Sequence, residues 1–92
     1  MNTKECVKRL QEIDQEIEST WEKGQVNFDN DGNVAKQHIK EYLFFLEKND
    51  QFGMAKYLKN QPEEMHSTTC QWLKETRKLM IYWAGVHDDC LY

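Results

Sequence analysis

His66-x-x-x-Cys70 and His87-x-x-Cys90 are the groupings in this chain that carry the ligand types a transition metal prefers. On a helix, His66 and Cys70 stand one turn apart on one face. With His87 and Cys90 they would complete a Cys₂His₂ tetrahedron of the zinc kind. The spacing matches no known zinc module. A cysteine on the edge of an apolar stripe also serves well as a small hydrophobe. No metal ligands are therefore assigned.

The stretch Asn27–His38 sets oxygen-bearing Asn27, Asp29 and Asp31 at alternate positions, then Gly32, then Val34. This is the first half of an EF-hand-like calcium loop between two helices. The twelfth position, where a bidentate glutamate closes the coordination sphere, holds His38. A solvated turn rich in Asx residues accounts for the same residues. Glu63-x-x-His66 is half of a di-iron bundle motif, and no second Glu-x-x-His exists to complete it. Cys70 and His66 alone lack the orienting third group of a nucleophilic site. No glycine-rich phosphate loop is present. The chain is accordingly read as a non-enzyme without a cofactor.

The elements that would position these residues are helical. Cys6, Leu10, Ile13, Ile17 and Trp21 recur at steps of three and four, which predicts a helix over residues 3–23 with Thr3 as N-cap and Gly24 as stop. Residues 25–33 are dense in turn formers and predict a loop or a short hairpin built on Val26, Phe28 and Val34. Asn33 would cap a second helix to about Asn49, with Val34, His38, Ile39, Tyr42, Leu43, Phe45 and Leu46 on one broad face. Asp50 would cap a short third helix carrying Phe52, Ala55, Tyr57 and Leu58. Pro62-Glu63-Glu64 would open a fourth helix running to Ala84, with acids in its first turn. Its inward stripe is Met65, Thr69, Trp72, Leu73, Thr76, Leu79, Met80 and Trp83, and Gly85 ends it. The tail 86–92 would pack back through His87 and Leu91. The expectation is one all-α domain over residues 1–92, a compact antiparallel four-helix bundle or array.

Function has to be read from the surface. Net charge is −4, which disfavours direct binding to nucleic acid. A helix-turn-helix reading of the last two helices would lead into the groove with Glu63 and Glu64, which repel phosphate. The longest apolar run, Tyr42–Leu46, is too short to span a bilayer, and the N-terminus lacks a secretory pattern. Three cysteines at unpatterned spacing fit a reducing, cytoplasmic setting. Asp14, Glu18 and Glu22 line one side of the first helix, and Asp29 and Asp31 follow, forming an acidic ridge that would steer a basic partner. Phe44 and Tyr82 fall on polar helix faces, where aromatics make good contact anchors. These seven residues are the expected partner-binding set. The chain reads as a small acidic protein-binding module: an inhibitor, antitoxin-like factor or adaptor that occludes a basic or nucleic-acid-binding protein. The alternatives are a metal-binding helical domain, a self-associating structural protein, and a sensor holding a small molecule among His66, Trp72 and Trp83.

Overall fold

The computed structural model describes residues 2–22, 29–63, 65 and 68–86, with side chains for all of these except 21, 22 and 29–31. Four helices span the described residues: α1 (Thr3–Glu22), α2 (Asp29–Glu47), α3 (Gln51–Lys59) and α4 (Gln71–Ala84). No strand occurs among them.

Side-chain contacts fix the directions. Lys36 of α2 meets Asp14 and Glu18 of α1. His38 of α2 meets Tyr57 of α3, and Gln51 of α3 reaches the Trp83 carbonyl of α4. Trp83 also bonds Thr3, whereas Arg9 bonds Glu75. Each sequential neighbour, and the pair α1–α4, therefore runs antiparallel, giving an up-down-up-down bundle.

The ends of the helices follow local chemistry. Asn2, not Thr3, caps α1: its Oδ1 accepts from the Glu5 N–H at 2.9 Å. Thr3 is released to accept from the Trp83 indole N–H at 3.1 Å. At the end of α2, Asn49 takes a left-handed φ of 53°. The Asp50 N–H then bonds the Phe45 carbonyl at 3.0 Å, and the Asn49 N–H bonds that of Leu46 at 3.1 Å, a Schellman closure. Asp50 turns at once to cap α3, accepting from the Gly53 N–H at 2.8 Å. The same closure ends α4: Gly85 has φ 72°, and Val86 N–H bonds Ile81 C=O at 3.3 Å.

The core is made by Cys6, Leu10, Ile13 and Ile17 of α1, Ala35, Ile39, Tyr42 and Leu46 of α2, Met54 and Leu58 of α3, and Leu73, Met80, Ile81 and Trp83 of α4. Each such Leu or Ile contributes roughly 1.5–3 kcal/mol by leaving water. Thr76 is also fully buried, its hydroxyl donating back to the Trp72 carbonyl at 2.8 Å.

Three expectations are corrected. Residues 29–33 are the first turns of α2, so no hairpin or loop covers them, and residues 25–28 lie outside the described residues. Asp and Asn are turn formers but also suit a helix N-terminus, where the macrodipole favours acids. The helical path of residues 29–38 is incompatible with an EF-hand loop, which must curl its ligands around one centre. The expected helix from Pro62 to Ala84 is not continuous: Met65 is helical and its N–H bonds the Pro62 carbonyl at 2.9 Å, but Thr68–Cys70 are non-helical, the Cys70 N–H bonds the Thr68 hydroxyl at 3.1 Å, and α4 begins at Gln71. Thr and Ser compete in this way for the backbone and so weaken a helix from within. The short third helix after Asp50 forms as expected, with Met54 and Leu58 buried and Phe52 82% exposed.

Candidate protein-binding face

The seven expected contact residues separate into distinct places. Asp14 stands on α1 at the rim of a groove of about 1050 Å³ between α1 and α2, and Glu18 follows one helical turn on. Lys36 crosses that rim, its ammonium 2.9 Å from Asp14 and 2.5 Å from Glu18. Burial opposes the charge on Lys36, yet the hydrogen bonds to Glu18 and Asp14 outweigh it and hold the ammonium above its ordinary range. Two acids of the ridge are thus bridged by a cation from the neighbouring helix. Glu22 ends α1, and Asp29 and Asp31 fall in the first turn of α2, but their side chains lie outside the described set.

Phe44 is 49% exposed on α2. Lys48, one turn on, lies over its ring with the ammonium 4.3 Å from the centroid. The Phe44 and Phe45 rings stand nearly perpendicular with centroids 5.6 Å apart, and Phe45 in turn packs on Tyr57 at 5.6 Å. Phe52, at the start of α3, is more exposed than either expected aromatic. It shares one side of α3 with Lys56 and Lys59, at steps of four and seven. Phe52 was not singled out by its pattern, because α3 is too short for a reliable apolar face.

Tyr82 is 69% exposed on α4. With Leu79 and Lys78 of α4, Glu75 and the α1 residue Glu5 it lines a groove of about 590 Å³. Arg9 bonds Glu75 at 2.6 Å at the side of this groove, and that bond holds its guanidinium above the ordinary range. Further along the same seam the Trp72 indole reaches Glu16 at 3.3 Å.

Beneath the surface lies a polar cluster with no signature in the spacing. Gln61, in the turn after α3, is buried together with Arg77 of α4 and Tyr42 of α2. Arg77 Nε donates to Gln61 Oε1 at 2.9 Å, and Gln61 Nε2 donates to the Tyr42 hydroxyl at 2.8 Å. His38 Nδ1 lies 2.8 Å from the Tyr57 hydroxyl and 3.4 Å from Gln61 Nε2. Burial lowers the His38 pKa and raises that of Tyr57. It pushes the Tyr42 phenol far above its ordinary range. These phenols stay protonated at neutral pH, and their bonds tie α2, α3, the turn after it and α4 together.

Of the His/Cys grouping, Cys70 is a part-buried free thiol ahead of α4, and His66, His87 and Cys90 lie outside the described residues. Among the described residues no group of three or more His, Cys, Asp or Glu is placed to hold a metal ion. No helix among them is long and apolar enough to cross a membrane. Trp83 is buried and Trp72 half-buried, each engaged through its indole N–H, and His66, the third residue of the expected small-molecule set, lies outside the described residues. The chain matches no protein-family model, no curated protein and no solved structure.

Proposed function

We propose that this domain works in the cytoplasm by binding another protein and covering part of its surface, as an inhibitor or adaptor does. The observation that carries the reading is the exposure of three large aromatics, Phe44, Phe52 and Tyr82, on so small a body. Rigid aromatic side chains supply contact area at low entropic cost and dominate binding hot spots. Tyr82 sits beside Glu5, Glu75 and Lys78, Arg9 bridges Glu75 and Glu12, and α1 adds Glu16, so the acids exceed the cations there by two. That side suits a basic partner, in keeping with the net charge of −4. Asp14 and Glu18 add less to such steering than isolated carboxylates would, because Lys36 sits between them.

Affinity capture from the native host's lysate tests the reading. Wild type is compared with Tyr82→Ser, with Phe44→Ser/Phe52→Ser and with Asp14→Lys/Glu18→Lys/Glu22→Lys. A partner held by wild type and weakened about 30-fold by one aromatic variant supports occlusion through that face, the scale of a hot-spot loss of about 2 kcal/mol. Retention of the same protein by all three variants removes the reading. A second reading, self-association, draws on the Phe44–Phe45 pair and Phe52 near the α2–α3 turn. Sedimentation of wild type and Phe44→Ser/Phe52→Ser across concentration decides it.

A further inference from the structure

The surface carries a protrusion and a groove of opposite character. The protrusion is on α3. Met54 and Leu58 turn inward, so the helical period sends Phe52, Lys56 and Lys59 out on the opposite side. Phe52 is 82% exposed, and both lysines are exposed beside it. α3 itself contains no carboxylate. Asp50, just ahead of it, is engaged with the Gly53 N–H. The groove is the one of about 590 Å³ at the α1–α4 seam. Leu79 and Tyr82 give it an apolar lining, Glu5 and Glu75 its carboxylates, and Lys78 one cation. α1 extends the negative side, holding six carboxylates against three cations along its length.

The two features point in different directions. α1 packs on α2 and α4, and α3 packs on the same two helices, so α1 and α3 stand diagonally across the bundle. They are nevertheless level with each other: Gln51 reaches the Trp83 carbonyl, which sets Phe52 and Tyr82 at the same end. With α4 between them, a chain does not seat its own Phe52 in its own groove, whereas a second copy can. A large rigid ring followed by two cations suits an apolar groove rimmed by carboxylates, in shape and in sign. Contact between unlike surfaces of identical chains is heterologous. It leaves a protrusion open on one copy and a groove open on the other, so a third copy can add.

We propose that this chain assembles head to tail: Phe52 of one copy fills the Tyr82–Leu79 groove of the next, and Lys56 and Lys59 lie against the carboxylates of that copy's α1. Such assembly rests on the Tyr82 side being a seat for a basic surface, as proposed above, and names that surface. It differs from a pairing of like patches near the α2–α3 turn, which is isologous and closes at two copies. The ring supplies the affinity. The lysines and carboxylates set the register and are screened by salt.

Sedimentation velocity of the purified full chain, from about 10 μM to about 1 mM, tests this. Wild type should grow in mass past the dimer as concentration rises, and less so as salt is added. Phe52→Glu/Lys56→Glu removes the protrusion, and Glu5→Lys/Tyr82→Lys removes the groove. Each alone should weaken association about 30-fold, the scale of a hot-spot loss. Mixed together, the two variants should form a one-to-one pair and nothing larger, because one intact protrusion meets one intact groove. A wild type that stays monomeric throughout, a groove variant that associates as wild type does, or a mixture that yields no pair would overturn the proposal. The second of these outcomes supports the like-patch pairing instead. Capture of a foreign basic protein from lysate is read separately, so its failure beside a mixed pair that forms removes the occlusion reading alone. Should either charge reversal fail to fold by circular dichroism, Phe52→Ser and Tyr82→Ser carry the same mixing test.

Discussion

Replacing Gln61 with leucine should be among the most damaging single changes available outside the apolar core. The side chain is only 7% exposed and serves both Arg77 and Tyr42. Leucine keeps most of the volume and removes both polar ends. A hydrogen bond to a charged group contributes about 1.5–3 kcal/mol and a neutral one about 1 kcal/mol. The two together come to roughly 3 kcal/mol, a large share of the 5–15 kcal/mol usual for a domain. For a domain of this size each kcal/mol moves Tm by about 4–8 °C, so a fall of some 12–24 °C is expected. Tyr42→Phe removes only the neutral bond, and Gln61 keeps His38 Nδ1 at 3.4 Å, so that variant should lose only about 1 kcal/mol. Urea unfolding followed by far-ultraviolet circular dichroism measures both, with an unchanged m value showing that the unfolded state is the same. A Gln61→Leu loss equal to or smaller than that of Tyr42→Phe would refute the reasoning, because the Arg77 bond would then contribute nothing.

Other expectations follow from single contacts. Gly53→Ala should not yield the roughly 1 kcal/mol that alanine normally brings to a helix interior: its Cβ would sit 2.3 Å from Asp50 Oδ2, displacing the cap. The cost of Asp50→Ala should then vanish in the Gly53→Ala background, which a double-mutant cycle measures. Lys36→Met should cost less than about 1 kcal/mol, since Asp14 and Glu18 are partly exposed, and the cost should shrink as salt rises. Equal urea midpoints at low and high salt would count against that ion pair. The raised pKa of Lys36 places its contribution at neutral pH, to be lost only as strongly alkaline pH passes the folded-state value. Burial, aided by Glu5 and opposed by the N-terminal amine, pushes the fully buried Cys6 thiol up. Site-resolved mass spectrometry should find Cys6 alkylated only as fast as the chain unfolds, and after the half-buried Cys70. Labelling of Cys6 first would contradict the packing of α1.

What could be read in advance was whatever repeats along a helix. Cys6, Leu10, Ile13 and Ile17 are buried as their spacing requires, and so are Ile39, Tyr42 and Leu46, with Val34, His38, Leu43 and Phe45 of the expected face half-buried beside them. Asp50 caps α3 as its residue type suggests. Phe44 and Tyr82 are exposed where the helical wheel put them. Features that depend on a partner from another helix were not legible. Lys36 looks like any surface lysine until α1 is placed beside it. Gln61 looks like a loop residue until Arg77 arrives from sixteen positions away. Arg77 did offer a signal: it stands four residues after Leu73 and three before Met80, inside the apolar stripe. A guanidinium in that position needs an acceptor from elsewhere in the fold. The start of α2 was misjudged because Asp and Asn belong equally to turns and to helix beginnings, and local preference alone does not choose between them.

The pairing of α1 with α4 has a mechanical consequence. Thr3 meets Trp83, Arg9 meets Glu75, and Glu16 meets Trp72, so the contacts are strung along the seam from the two outer ends inward. A force applied through Thr3 and Trp83 would load them one after another, as a zipper opens, instead of shearing them all at once. The seam should yield at low tension in a pulling experiment even though its core is closely packed. Tethers attached at Thr3 and at Gly85 would also leave the body side by side, so the domain could sit within a loop of another protein without stretching its host.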